Sequence, residues 1–252
     1  MSRPSFLLPL LSTRLYQAVR KFLRNDQLIL AMLSLFIGLV GGVMVIALRE
    51  GISFFQFHFY GAPGERLYDT VAGLPWWQVL AVPTLGGLAV GLLIRYAMPG
   101  ARSQGVADVI EASALKGGRM SISTGLRAAV VNALSIGSGA SVGREGPAVH
   151  LGASLAGWIA KKLHLSRSLS RTLLGCGVAA AVAGSFNAPI AGALFANEVV
   201  IGHYALKAFA PVVIASVTGT AVSRAYYGDF PAFVLPPHEI TSYLEFPAFI
   251  VL

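Results

Sequence analysis

The chain alternates between long apolar runs and short polar punctuation. Leu28 to Leu48 is an uncharged run of 21 residues. A bilayer core needs about 20 apolar residues in a helix, so this run predicts a transmembrane span. Residues 49–75 read as a polar loop that can carry partial helix. Trp76 and Trp77 open a second spanning run that ends at Ile94, with Arg95 and Tyr96 as interfacial anchors. After Pro99-Gly100 the apolar pieces become short and glycine-broken: 106–115, 124–136, 147–160, 172–185 and 189–202. Several are too short to span alone unless extended or tilted. A longer run, 205–223, follows, and a further apolar segment begins near the end. The fold class predicted is all-α integral membrane.

The first 27 residues follow a different pattern. Leu11, Leu15, Val19, Phe22 and Leu23 share one helical face, while Arg14, Arg20, Lys21 and Arg24 lie elsewhere. This predicts a basic amphipathic helix on the membrane surface. It fits a signal peptide poorly, since Arg14, Arg20, Lys21 and Arg24 follow the apolar FLLPLL. Five Lys/Arg before residue 28 place the N-terminus on the cytoplasmic side by the positive-inside rule. The expected location is the plasma or inner membrane.

Composition agrees. Hydrophobic residues make up 55% of the chain and charged residues 12%, against about 25% charged in soluble domains. The net charge of +8 is then topology and lipid contact rather than nucleic-acid binding, because no basic run is interleaved with stacking aromatics. Cys176 is the single cysteine and the five histidines show no ligand spacing, so neither a disulfide framework nor a metal site is expected. No cofactor is expected.

In lipid every backbone polar group needs a partner, and helices broken inside the membrane offer their ends to ions. Close packing of glycine faces explains part of the pattern too. The stretch GSGASVGREGPAVHLG, 137–152, concentrates the chemistry. Pro147 suits the first turn of a helix, which places the helix start near Gly146. Free amides and the positive dipole end then point toward Glu145. That is an anion site with a carboxylate tethered beside it. Ionised, Glu145 occupies the site; protonated, it releases it. Pairing with Arg144 at the helix end is the plainer alternative, but ionisable residues within membranes are functional by default.

GSGASVGREGPAVHLG resembles the G-R/K-E-G-P motif of the CLC chloride channel and transporter family. GSFNAPIAGALFANEVV, 184–200, resembles that family's later signature, F-N/G-A-P-x-A/G-G-x-L-F-x-x-E. The resemblance covers nearly the whole chain from about residue 28. It implies a CLC-like bundle of tilted and broken helices, residues 28–252 forming the first of two inverted repeats, with the second largely absent. It implies chloride or a related small anion as substrate, Glu145 as the gate, and a homodimer of the full-length protein. It also implies anion binding at Ser103, Gln104, Gly105 and Val106, and at Gly143, Arg144, Gly146 and Pro147.

The family's third motif, G-S-G-I-P, corresponds here to SQGVA: Gln104 stands in the serine's place and Ala107 in the proline's. A Gln amide still donates to an anion. Exchangers of the family commonly carry two adjacent glutamates where this chain has Glu198 and Val199. Valine cannot relay a proton, which tilts the reading toward a passive channel and leaves a chloride/proton antiporter as the alternative. Glu198 is either part of a proton pathway or a structural carboxylate.

Two other motifs are weaker. Gly139-Ala-Ser141-Val-Gly143 matches the nucleophile elbow of serine hydrolases, which requires a strand before it. Gly175-Cys-Gly177-Val-Ala-Ala180 matches a dinucleotide pattern, with no strand preceding it. Close helix packing accounts for the latter better.

Overall fold

The computed structural model describes residues 26–62, 70–202 and 205–229. The amphipathic N-terminal helix and the last apolar segment expected from the sequence lie outside the described residues. The α-helices that lie wholly within the described residues are, in order, α1 (Asp26–Tyr60), α2 (Trp76–Ala97), α3 (Val106–Ala114), α4 (Ile122–Gly137), α5 (Glu145–Lys162), α6 (Arg167–Phe186), α7 (Pro189–Phe195) and α8 (Leu206–Tyr227). A π-helical turn, Ala196–Ile201, continues α7. Among the described residues there is no strand.

Four helices, α1, α2, α6 and α8, are long and apolar enough to cross a membrane. The others are shorter, as the glycine-broken pattern predicts. The partial helix expected within 49–75 is the end of α1, which runs on to Tyr60 and spans 35 residues. Its polar positions there are held by α8. Tyr227 Oη donates to Glu50 Oε1 at 2.9 Å, and the Arg49 guanidinium lies 3.9 Å from the Tyr227 ring centre. A polar pair that finds partners across the bundle does not end a helix.

The core is built on α6, buried from Thr172 to Ser185, against α1, α5 and α8. Small residues make this possible. A Cβ on Gly152 of α5 would run into the Gly177 carbonyl of α6, and one on Gly177 into the Gly152 carbonyl. The backbones therefore meet directly, a geometry only glycine permits on both sides. This disposes of the dinucleotide pattern at 175–180: those residues are helix interior, packed on α5 and on Ile201. At the periphery, α2 packs on α4 and leaves Trp76, Leu80, Leu85, Leu88 and Leu92 exposed. Such an apolar surface suits lipid rather than water.

Candidate anion site at two broken helix ends

Helix α5 starts at Glu145, one residue before the expected Gly146, with Arg144 as its N-cap. Pro147 has no N–H to leave unsatisfied, and the first intrahelical bond is Ala148 N–H to Arg144 O at 3.1 Å. The N–H groups of Glu145 and Gly146 are thus left without an intrahelical acceptor. Gly143 holds the chain in the left-handed region, φ +70°, immediately before the helix. A Cβ at Gly143 would collide with Glu145 Oε2. The Glu145 side chain therefore folds back over the backbone preceding its own helix, toward the positive end of α5. Glu145 and Gly143 are exposed, Arg144 and Gly146 half-buried, and Pro147 buried.

The second expected stretch opens α3, which packs on α5. Ser103 is exposed; Gln104, Gly105 and Val106 are half-buried. The Gly105 N–H donates to Asp108 Oδ2 at 2.8 Å, and Arg102 pairs with the other carboxylate oxygen. The N-cap amide of α3 thus already has a carboxylate partner from one turn on, the reciprocal half of a capping box. Asp108 is buried, so its carboxylate depends on these two donors.

Gln104, Asp108 and His150 line one cleft of about 420 Å³ between α3, α4 and α5. His150 is 1% exposed and its Nδ1 has no hydrogen-bond partner among the described residues. Asp108 and Arg102 both act on it electrostatically. None of residues 143–147 lines this cleft. His150 stands five residues beyond Glu145 on α5, about 7–8 Å along the axis. The two expected stretches thus belong to one packed helix pair without sharing a cleft. Sequence reasoning missed Arg102, Asp108 and His150. The Gly105-x-x-Asp108 spacing was the available signal for Asp108; nothing local marks His150.

Glu198 is exposed on the π-helical turn and forms no ion pair among the described residues. Val199 beside it is half-buried. Asn197 is fully buried and donates to Ala193 O at 2.8 Å. Ser141 sits exposed in the loop between α4 and α5. A helix precedes it, where a nucleophile elbow needs a strand.

Comparison with known proteins bears on the same residues. The family model for voltage gated chloride channels matches residues 86–252. A ClcB-like chloride channel protein of Ralstonia nicotianae is 35% identical over 210 residues, covering 82% of this chain and 49% of the relative. A protein of Yersinia pseudotuberculosis named as the voltage-gated ClC-type chloride channel ClcB is 29% identical over 202 residues, covering 78% of this chain and 48% of its own length. The chain spans about half the length of the curated relatives it matches. Among solved structures, a CLC-type fluoride/proton antiporter superposes with TM-score 0.66 at 28% identity, over 88% of this chain and 53% of that one. A slow cyanobacterial Cl⁻/H⁺ antiporter shares the fold with TM-score 0.68 at 20% identity, over 88% and 52%. Half of a CLC transporter structure is therefore reproduced by α1–α8, and the chain belongs to the voltage gated chloride channel family, the CLC proteins.

Proposed function

We propose that this chain lines part of a transmembrane pathway for chloride or a related small anion, with Glu145 as its gate. The observation that carries the reading is the Glu145 carboxylate folded back over Gly143 at the amino end of α5. An ionised carboxylate at a positive helix end stands in for the anion that the end would otherwise attract. Protonation removes that charge and frees the end for a mobile anion. Gly143, Arg144, Gly146 and Pro147 shape this end. Ser103, Gln104, Gly105 and Val106 supply donors at the neighbouring α3, where Asp108 competes for the Gly105 amide. Helix ends and side chains replace the ion's hydration shell, and the remaining donors come from the other half of the full-length protein. Its working unit is a homodimer with one pathway per subunit.

Val199 favours a passive channel, because its side chain cannot carry a proton past Glu198. A second reading, chloride/proton exchange, is favoured by the two structural neighbours, both described as proton antiporters. Joint chloride and proton flux from liposomes holding the full-length protein, with Glu145→Ala in parallel, separates them. Chloride flux without coupled protons, losing its pH dependence in Glu145→Ala, supports the channel. Uphill proton movement driven by chloride, lost in Glu145→Ala, establishes an exchanger. Absence of anion flux in verified folded protein sinks both.

A further inference from the structure

The end of the bundle formed by the last turn of α5 and the start of α6 gathers positive charge from separate segments. A cleft of about 480 Å³ is lined by Arg119, Trp158, Lys161, Lys162 and His164. Among the described residues no acidic one lines it. Among the described residues no carboxylate pairs with Arg119, Lys161 or Lys162. Lys161 and Lys162 by themselves are explained as cations complementing the negative end of α5. Arg119 is not, since it comes from the 115–121 loop.

That loop is clamped. A Cβ on Gly118, at φ +77°, would lie 2.7 Å from the Ser170 carbonyl of α6, and one on Gly157 of α5 would lie 2.6 Å from the Met120 nitrogen. These two backbone contacts wedge the loop between α5 and α6 and fix Arg119 beside the paired lysines. Like charges are held together without a counter-charge, an arrangement that an anion relieves. The surroundings select the kind of anion. Trp158 is 39% exposed, with Lys162 Nζ 5.9 Å from its ring centre, and Leu163, next in the chain to Lys162, is 51% exposed. Tryptophan and leucine beside lysine and arginine match the boundary between acyl chains and headgroups.

We propose that this cleft is a binding site for the phosphate of an anionic phospholipid, held by Arg119, Lys161 and Lys162 with Trp158 at the level of the upper acyl chain. Basic pockets between membrane helices recognise headgroups in this way. By the positive-inside rule, this end faces the anionic cytoplasmic leaflet. The site lies at the opposite end of α5 from Glu145 and shares Arg119 with the neighbouring cleft of Gln104, Asp108 and His150.

The test is a thermal-shift titration of the full-length protein in neutral detergent. Its three arms are dioctanoyl phosphatidylglycerol, dioctanoyl phosphatidylcholine and inorganic phosphate. The expected result is a saturable upward shift with phosphatidylglycerol and none with phosphatidylcholine, with phosphate alone producing a smaller shift. Half-saturation by phosphatidylglycerol should weaken at least tenfold in Arg119→Ala/Lys162→Ala. It should hold in Arg95→Ala/Lys207→Ala, which removes the same charge elsewhere. As a second measurement, phosphatidylglycerol brominated high on its chains should quench tryptophan fluorescence in wild type, and less in Trp158→Phe. Equal shifts with both lipids, equal losses in both double variants, or equal quenching in wild type and Trp158→Phe would each overturn the proposal. A phosphate arm matching the lipid arm would overturn the lipid as occupant.

Discussion

The Gly105 N–H and the Asp108 carboxylate are 2.8 Å apart, so the amide expected to meet a mobile anion at α3 already meets a fixed one. Arg102 holds that carboxylate from the other side. Asp108→Asn keeps an acceptor for Gly105 but removes the charge. Hydrogen bonds to charged groups contribute about 1 kcal/mol more than neutral ones, and the Arg102 side chain, 57% exposed, adds little through solvent screening. The variant should lose about 1 kcal/mol at neutral pH. Thermal unfolding at neutral pH should show a lower midpoint for Asp108→Asn than for wild type, and an unchanged midpoint would mean that the carboxylate's charge adds nothing to the cap.

Gly143→Ala should act on the proposed gate and on stability together. The left-handed backbone at φ +70° costs a non-glycine residue roughly 1–2 kcal/mol. The new methyl would also occupy the place of Glu145 Oε2. A lower unfolding midpoint and anion flux with weakened pH dependence are expected. Gly146→Ala is the contrast, because a Cβ there meets nothing within 4 Å. Its midpoint should stay near wild type, and a drop as large as that of Gly143→Ala would refute the strain argument.

Much of this architecture was legible in the chain because lipid forces it. Leu28–Leu48 and the Trp76 run became α1 and α2, and Pro147 marked the start of α5 to within two residues. What escaped depended on distant partners. Arg49 and Glu50 read as the end of a span, yet Tyr227, 177 residues beyond Glu50, keeps them in the helix. The π-helical turn after Phe195 has no local sequence signature, although it decides where Glu198 and Val199 point. His150 read as one of five histidines without ligand spacing. Only the packing of α3 on α5 sets it beside Gln104 and Asp108.

The direct backbone contact between α5 and α6 predicts a steep size limit. Gly152→Val or Gly177→Val would push side-chain carbons into the facing carbonyl, with no flexible neighbour to yield. Overpacking of this kind costs about 3 kcal/mol or more. Either variant should lose its monodisperse size-exclusion peak after extraction. Gly87→Val on the exposed face of α2, where a Cβ meets nothing within 4 Å, should keep it. A well-behaved Gly152→Val protein would mean that the two helices are not in backbone contact.

Ser141 offers a sharp negative test, since its motif otherwise reads as that of a hydrolase. A nucleophile elbow raises serine reactivity by a tight strand-to-helix turn, backed by a histidine and an acid. Here α4 precedes the loop instead of a strand, and the loop leads into α5. Neither helix supplies the strand-to-helix turn that activates a serine. A fluorophosphonate probe should therefore leave the full-length protein unlabelled, and Ser141→Ala should conduct anions within about twofold of wild type, a change of under 0.5 kcal/mol in the barrier. Labelling that disappears in Ser141→Ala would assign a hydrolytic nucleophile to this loop and count against Glu145 as the residue around which the site is built.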